Sequence, residues 1–194
     1  MVDRSLDPPL RVDWIDAVAL RDGRPGRLGL TFLPGKNGPS TLYPGRVYRR
    51  HLADDLETLT ASGVRRLLLL VEDHELARWG DPDIVERAAA AGLTVERRAI
   101  PDGHAPATHG QMDEMLAWIA EGREAGDVAV ACMGGVGRTG TVAACALVAA
   151  GWAADAAIGE VRRVRHPAAV ETEAQVQFVA EHAARRRPTD GPGR

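Results

Sequence analysis

The sequence is poor in cysteine and in aromatic residues, and it contains no long apolar run. Two cysteines among 194 residues are too few for the disulfide framework of a small secreted protein. A formal net charge of −3 disfavours non-specific binding to nucleic acid. No apolar segment is long enough to span a bilayer, and residues 1–9 contain no apolar signal segment. We therefore expect no nucleic-acid partner, no membrane partner and a cytoplasmic location that keeps thiols reduced.

The bulk composition fits a packed core of ordinary size. Apolar residues make up 45% of the chain and charged residues 26%. We expect a single domain over residues 1–184. The following residues, 185–194, are basic and then rich in proline and glycine, which predicts a disordered tail.

Strand-like and helix-like segments alternate along the chain. The predicted strands are 11–20, 26–33, 65–72, 94–100 and 127–131, with a loop at 34–39. The predicted helices are 51–62, 81–91, 108–124, 139–150, 153–165 and 172–186. This alternation predicts an α/β fold with a central, mostly parallel sheet flanked by helices on both faces. A binding site is then expected at the carboxyl ends of the strands.

The most informative segment is a glycine-rich loop between a predicted strand and a predicted helix. Cys132 and Arg138 stand at its two ends. Backbone N–H groups in such a loop suit a tetrahedral dianion, and glycines let the backbone approach it closely. The arginine fork can hold two phosphate oxygens, and the same field favours the thiolate form of a cysteine. The residues predicted to bind a substrate phosphate are Met133, Gly134, Gly135, Val136, Gly137 and Arg138.

The loop resembles the signature of the protein tyrosine and dual-specificity phosphatases, His-Cys-x-x-Gly-x-x-Arg-Ser/Thr. Ala131 departs from that pattern, because the family normally has histidine there. Ile100–Gly103 resembles the mobile loop that carries the family's general acid, and residues 168–175 resemble its late "ET..Q" segment. Gly29–Lys36 resembles the N-terminal strand and loop of the kinase-associated branch of dual-specificity phosphatases. The resemblance covers roughly residues 26–182 and is most specific in the Cys-x5-Arg loop.

The resemblance implies a dual-specificity-phosphatase-like fold and hydrolysis of phosphomonoesters through a phosphocysteine. Cys132 is then the nucleophile, Arg138 holds the phosphate, and Asp102 is the general acid. Thr139 would donate a hydrogen bond to the cysteine sulfur, and Gln175 would orient the attacking water.

Three of these residues also have purely structural explanations. Pro-Asp-Gly around Asp102 is a common turn. Thr139 stands at a helix start, where it can act as a cap, and Gln175 occupies the third position of a helix capped by Thr172. We expect no cofactor, and no metal because the histidines outside residues 104–109 lack metal-ligand spacing.

Two other classes of protein have to be weighed. Residues 135–140 satisfy Gly-x-Gly-x-x-Gly, but no second strand with a terminal acidic residue follows, which disfavours dinucleotide binding. A non-catalytic phosphate-binding module, a pseudophosphatase, is the alternative that Ala131 favours.

The substrate class is left open between a phosphoprotein (Tyr, Ser or Thr) and a small-molecule phosphomonoester. Aromatic residues make up 4% of the chain, and none lies in the expected pocket segments 34–41, 102–108 and 166–171. This mildly favours a substrate other than phosphotyrosine, although Tyr43 lies close to the first segment. The basic run Arg162-Arg163-x-Arg165-His166 would form a solvated face or attract an anionic substrate.

Overall fold

The computed structural model describes residues 7–40 and 43–186. The strands are β1 (Asp13–Ile15), β2 (Leu28–Phe32), β3 (Asn37–Pro39), β4 (Val47–Arg49), β5 (Val64–Leu69), β6 (Thr94–Arg97) and β7 (Asp127–Cys132). The helices are α1 (Ala17–Leu20), α2 (Leu52–Ala61), α3 (Asp73–Trp79), α4 (Ile84–Ala90), α5 (His109–Gly122), α6 (Gly137–Ala149), α7 (Ala154–Val164) and α8 (Glu173–Arg186).

The main sheet has five strands in the order β1-β2-β7-β5-β6. Strands β2, β7, β5 and β6 run parallel, and β1 pairs with β2 in the antiparallel sense at one edge. The predicted α/β fold with a mostly parallel sheet is confirmed. Strand β7 lies in the middle, so the residues that follow it emerge at the centre of the sheet's carboxyl edge.

Two apolar cores cover the two faces of the sheet. Because side chains alternate along a strand, Leu68 and Leu70 enter one core while Leu67 and Leu69 enter the other. The first core packs against helices α5, α6, α7 and α8, and the second packs against α2, α3 and α4. All four leucines are fully buried, as expected for a central strand of a parallel sheet.

Several local predictions need correction. Residues 11–20, predicted as one strand, contain the short strand β1 followed by α1. The predicted loop 34–39 contains β3, and β3 pairs with β4 in a separate two-stranded sheet. Helix α3 was not predicted, and α4 begins at Ile84 rather than at residue 81. The predicted cap of α5 is confirmed, since the Thr108 side chain accepts a hydrogen bond from the N–H of Gln111 at 3.1 Å.

The carboxyl end of the chain is described as far as α8, which continues to Arg186. The rest of the predicted tail, 187–194, lies outside the described residues. Within the described residues, no helix combines the length and apolar character that crossing a membrane requires.

Candidate active site

Cys132 is the last residue of the central strand β7, and its side chain is buried. Its Sγ accepts a hydrogen bond from the N–H of Gly135 at 3.2 Å. The loop therefore curls over the sulfur, as the spacing predicts. Gly135 has a φ of +66°, and a Cβ there would lie 2.3 Å from the carbonyl oxygen of Thr31. Only glycine fits this position without displacing backbone.

The phosphate loop, residues 132–138, is braced from outside by a second arginine. Arg165 Nε donates to the Gly135 carbonyl at 2.9 Å, and its Nη2 donates to the Gly134 carbonyl at 3.3 Å. Its Nη1 pairs with Asp13 at 2.7 Å. These contacts hold two loop carbonyls toward Arg165.

Arg138 lies in the first turn of α6 and is almost completely buried. Its Nη1 and Nη2 donate to the two carboxylate oxygens of Glu75 at 2.6 and 2.7 Å, and Nη1 also reaches the Ile100 carbonyl at 2.9 Å. Burial alone would raise the pKa of Glu75, but Arg138 outweighs it and lowers that pKa, so both partners are charged. Arg138 Nε has no hydrogen-bond partner among the described residues, which leaves one donor for a ligand.

Asp102 is brought to Arg138 by the turn that follows β6. Its Oδ1 lies 3.0 Å from Arg138 Nη2, while its side chain is 80% exposed. The exposed carboxylate of Asp102 therefore reaches the buried guanidinium of Arg138, so the two predicted site residues are brought together. The position of the turn is fixed from α8, because Thr172 Oγ1 donates to the Gly103 carbonyl at 2.9 Å.

Gln175 is fully buried and ties two segments of the site together. Its Oε1 accepts from the N–H groups of Glu171 and Thr172 at 2.9 and 3.3 Å, and its Nε2 donates to the His104 carbonyl at 3.0 Å. The predicted capping arrangement is present, since Gln175 N donates to Thr172 Oγ1 at 3.2 Å. The same amide also lies against the phosphate loop, since a Cβ on Gly137 would be 3.1 Å from both its Nε2 and its Oε1. The water-orienting role of Gln175 stays a prediction.

Thr139 is fully buried, and its Oγ1 has no hydrogen-bond partner among the described residues. It neither caps α6 nor reaches Cys132 Sγ. The hydroxyl is therefore a buried donor close to the phosphate loop. The predicted hydrogen bond from this hydroxyl to the sulfur of Cys132 is not formed in this structure.

Glu171 is a site residue that the sequence analysis did not single out. A Cβ on Gly137 would lie 2.3 Å from Glu171 Oε2, so the carboxylate rests directly on the phosphate loop. Burial, and next the negative charge of Asp102, raise the pKa of Glu171. The preceding residue, Val170, has a φ of +59°, which is rare for a β-branched residue and marks local strain.

Lys36 is a second residue that the sequence analysis did not assign, although it ends the segment Gly29–Lys36 that carries the family resemblance. Its side chain is buried, and its Nζ donates to the Met133 carbonyl of the phosphate loop at 3.2 Å. It also lies 4.4 Å from the centre of the Tyr48 ring. Burial lowers the pKa of Lys36, and the nearby sulfur of Cys132 opposes that shift.

Ala131 occupies the position where the family pattern has histidine. Its side chain is fully buried and belongs to the apolar core that covers the α2 face of the sheet. It pairs in register with Thr31 on β2 and with Leu69 on β5. A larger polar side chain has no space there without movement of the core.

No group of three His, Cys, Asp or Glu side chains within residues 7–40 and 43–186 is placed to hold a metal ion. Cys145, the other cysteine, is fully buried in α6, and burial strongly raises its pKa. Its surroundings are those of an inert core thiol.

The strand-end cysteine, the curled loop and the buried arginine define the class of the cysteine-dependent phosphatases. A family model described as "Tc-R-P: Polymorphic toxin system, DSP-PTPase phosphatase" matches residues 45–152. The chain therefore belongs to this family, and it is a cysteine-dependent phosphatase of the protein tyrosine/dual-specificity type.

Similar proteins support the same assignment. A crystal structure of Tk-PTP in the active form is 33% identical and has a TM-score of 0.63, with coverage of 86% of this chain and 95% of that one. Kinase associated phosphatase, solved with its catalytic-site cysteine replaced by serine, has a TM-score of 0.80 at 22% identity, with 92% and 97% covered. Cyclin-dependent kinase inhibitor 3 of Rattus norvegicus is 26% identical over 181 residues, which are 89% of this chain and 78% of that protein. The predicted likeness to the kinase-associated branch is confirmed.

Proposed function

We propose that this phosphatase hydrolyses phosphomonoesters through a phosphocysteine on Cys132. The observation that carries the proposal is the contact between Asp102 Oδ1 and Arg138 Nη2 at 3.0 Å. This contact supports the proposal, because the proposed general acid lies next to the cation that would hold the phosphoryl group. In the same loop, the Cys132 sulfur accepts the Gly135 N–H.

In the first step, the Cys132 thiolate attacks phosphorus, so the S–P bond forms while the P–O ester bond breaks. The leaving oxygen takes the proton of Asp102. The loop N–H groups of Met133 to Gly137 and the Arg138 guanidinium bind the phosphoryl oxygens and stabilise the charge of the transition state. Arg138 Nε, which has no other partner among the described residues, contributes one of these hydrogen bonds.

In the second step, water attacks the phosphorus of the phosphocysteine. Asp102, now a carboxylate, accepts the proton of this water, and the S–P bond breaks to release phosphate and the thiolate. Thr139 donates its free hydroxyl to the departing sulfur after a side-chain rotation. Gln175 holds the His104 carbonyl next to Asp102, and the second N–H of its Nε2, which lies close to Gly137 of the phosphate loop, orients the attacking water. No cofactor takes part, and the thiolate needs the reducing conditions of a cytoplasm.

The substrate is a phosphoprotein or a small-molecule phosphomonoester. A non-tyrosine or small-molecule substrate is mildly favoured, because the pocket segments 34–41, 102–108 and 166–171 contain no aromatic residue, although Tyr43 lies close to the first of them.

Hydrolysis of a generic aryl phosphate tests the proposal. Cys132→Ser should abolish turnover but keep vanadate binding, because the loop N–H groups and Arg138 remain. Cys145→Ala is the matched control and should keep turnover, because Cys145 is remote in the apolar core. Turnover by Cys132→Ser would exclude the phosphocysteine route.

A further inference from the structure

A basic cavity of about 300 Å³ lies beside the phosphate loop. Gly134 and Val136 of the loop form part of its wall. The remaining lining residues come from the N-terminal segment, from the β2–β4 region and from the segment after α7. They are Pro8, Pro9, Arg11, Phe32, Lys36, Tyr43, Arg46, Tyr48, Arg50, Arg165 and His166.

The lining of the basic cavity is strongly one-sided in charge. Its residues include five arginine or lysine side chains and one histidine, but no aspartate or glutamate. The chain as a whole has a formal net charge of −3, so the charge of the cavity lining is opposite in sign to that of the whole protein. A concave surface with one sign of charge concentrates ligands of the opposite sign.

Three of the five cations pair with two carboxylates. Arg50 forms a buried ion pair with Asp55 at 2.6 Å. Arg11 and Arg165 share Asp13, at 2.9 and 2.7 Å. Two of these three positive charges are therefore balanced within the protein.

Lys36 and Arg46 are the other two cations. Neither forms an ion pair with a carboxylate among residues 7–40 and 43–186. Arg46 instead lies 4.8 Å from the centre of the Tyr48 ring, and Lys36 lies against the same ring. Lys36 is 3% exposed and has three N–H donors, of which one is used by the Met133 carbonyl. A buried cation without a carboxylate in direct contact is costly, and a bound anion relieves that cost.

The opposite wall adds polar groups that suit the same ligand. Tyr43 Oη and His166 Nε2 lie 3.4 Å apart. Either group can donate a hydrogen bond to a phosphate oxygen. The arginine fork and the ammonium group prefer phosphate over neutral ligands.

We propose that the basic cavity is a second anion subsite, which binds an additional phosphate group of a small-molecule substrate while the scissile phosphate occupies the loop. The two sites share Gly134 and Val136, so one molecule can reach both. A volume of about 300 Å³ is at the lower end of the range for small-ligand sites and suits a sugar or polyol carrier. This inference rests on the proposed function, because it assigns the substrate class of the same loop.

The test compares matched substrates and matched arginine variants. Hexose and inositol bisphosphates are assayed against the corresponding monophosphates, and a doubly phosphorylated peptide against its singly phosphorylated form. For at least one small-molecule pair, the kcat/KM of the wild type for the bisphosphate should exceed that for the monophosphate by about tenfold or more. Arg46→Ala should bring this ratio of the two kcat/KM values close to one, whereas Arg163→Ala should preserve it. Arg163 is the control because it is exposed and pairs with Glu160 on α7.

Lys36→Met provides a second variant, and its folding is checked by Tm because Lys36 is buried. Calorimetry on Cys132→Ser measures binding without turnover, so the subsite is tested even if the phosphocysteine route is wrong. We expect tighter binding of the bisphosphate than of the monophosphate, and loss of the difference in the Cys132→Ser/Arg46→Ala double variant. Equal ratios for all small-molecule pairs, a preference that survives Arg46→Ala, or a preference confined to the peptide pair would each overturn the proposal.

Discussion

Glu75 and Arg138 form a bidentate ion pair inside the protein, with N–O distances of 2.6 and 2.7 Å and side-chain exposures of 4% and 1%. The pair joins α3 to the first turn of α6 across the end of the sheet. It fixes the plane of the guanidinium, so that Nε is left for a ligand. We therefore expect Glu75 to position Arg138, the arginine proposed to bind the phosphate.

Glu75→Gln should reduce both activity and stability. The glutamine keeps the shape but leaves the buried Arg138 with only the exposed carboxylate of Asp102 as a counterion, and loss of a buried ion-pair partner costs up to roughly 3–5 kcal/mol. Misplacement of the guanidinium should lower kcat/KM by up to about a hundredfold. Tm, aryl phosphate turnover and vanadate affinity of the folded variant measure these effects.

Glu121→Gln is the matched control, because Glu121 pairs with Arg66 at the surface and not near the site. It should leave all three quantities nearly unchanged. A Glu75→Gln enzyme with lowered Tm but normal vanadate affinity would show that the pair is structural only.

Asp102→Asn should slow substrates with poor leaving groups much more than activated aryl esters. An alkoxide leaving group needs the proton of Asp102, whereas a stabilised phenolate does not. General acid catalysis contributes about a hundred- to ten-thousand-fold, which sets the size of the effect on alkyl phosphates. Brønsted plots of kcat against leaving-group pKa make the comparison. Asp113→Asn is the control, since Asp113 is in an ion pair with Arg186. Equal losses for both substrate types would assign Asp102 a structural role.

Glu171→Gln should raise kcat/KM at neutral pH by a few-fold to about tenfold, because it removes a negative charge that opposes the substrate dianion at Gly137. Burial, followed by the charge of Asp102, raises the pKa of Glu171, so this carboxyl takes up its proton earlier than usual as the pH falls. The advantage of the variant should therefore be largest above that pKa and shrink at lower pH. The ratio of the two kcat/KM profiles from pH 4 to pH 8 is the measurement. A ratio that does not change with pH would place the carboxylate away from the bound phosphate.

Ala131→His should destabilise the protein rather than restore the family pattern. Ala131 is fully buried among apolar side chains, and overpacking of such a position typically costs about 1–3 kcal/mol. Urea unfolding of the variant measures this cost. Ala131→Gly is the control, because it removes the methyl group without adding volume. An Ala131→His protein of unchanged stability and higher activity would show that the histidine has room.

The sequence was sufficient to predict the four parallel strands of the main sheet and the helices α2 and α4 to α8. Leu67 to Leu70 read correctly as a buried parallel strand, because their apolar character is continuous along the chain. Cys132 and Arg138 were recognisable from their spacing and from the glycines between them. These signals are local, and each depends on a few neighbouring residues.

The missed features depend on contacts between distant segments. Glu75 lies in a short helix whose sequence gives no sign of the arginine 63 positions later. Lys36 and Glu171 are ordinary charged residues in the sequence, and only the fold brings both against the phosphate loop. The contacts of the Gln175 amide with Glu171, Thr172 and His104 also depend on the fold, and its water-orienting role stays a prediction.

The most direct test of the account is detection of the covalent intermediate. Wild type and Asp102→Asn are mixed with an aryl phosphate, quenched in acid within one turnover and analysed by peptide mass spectrometry. Aryl phosphates need little protonation in the first step, while hydrolysis of the phosphocysteine still needs Asp102 as base, so the intermediate should accumulate in Asp102→Asn. The digest is chosen so that Cys132 and Cys145 lie on different peptides. We predict one added phosphoryl group on the peptide that contains Cys132 and none on the peptide that contains Cys145. Steady turnover with no phosphoryl group on Cys132, in either protein at any quench time, would contradict it.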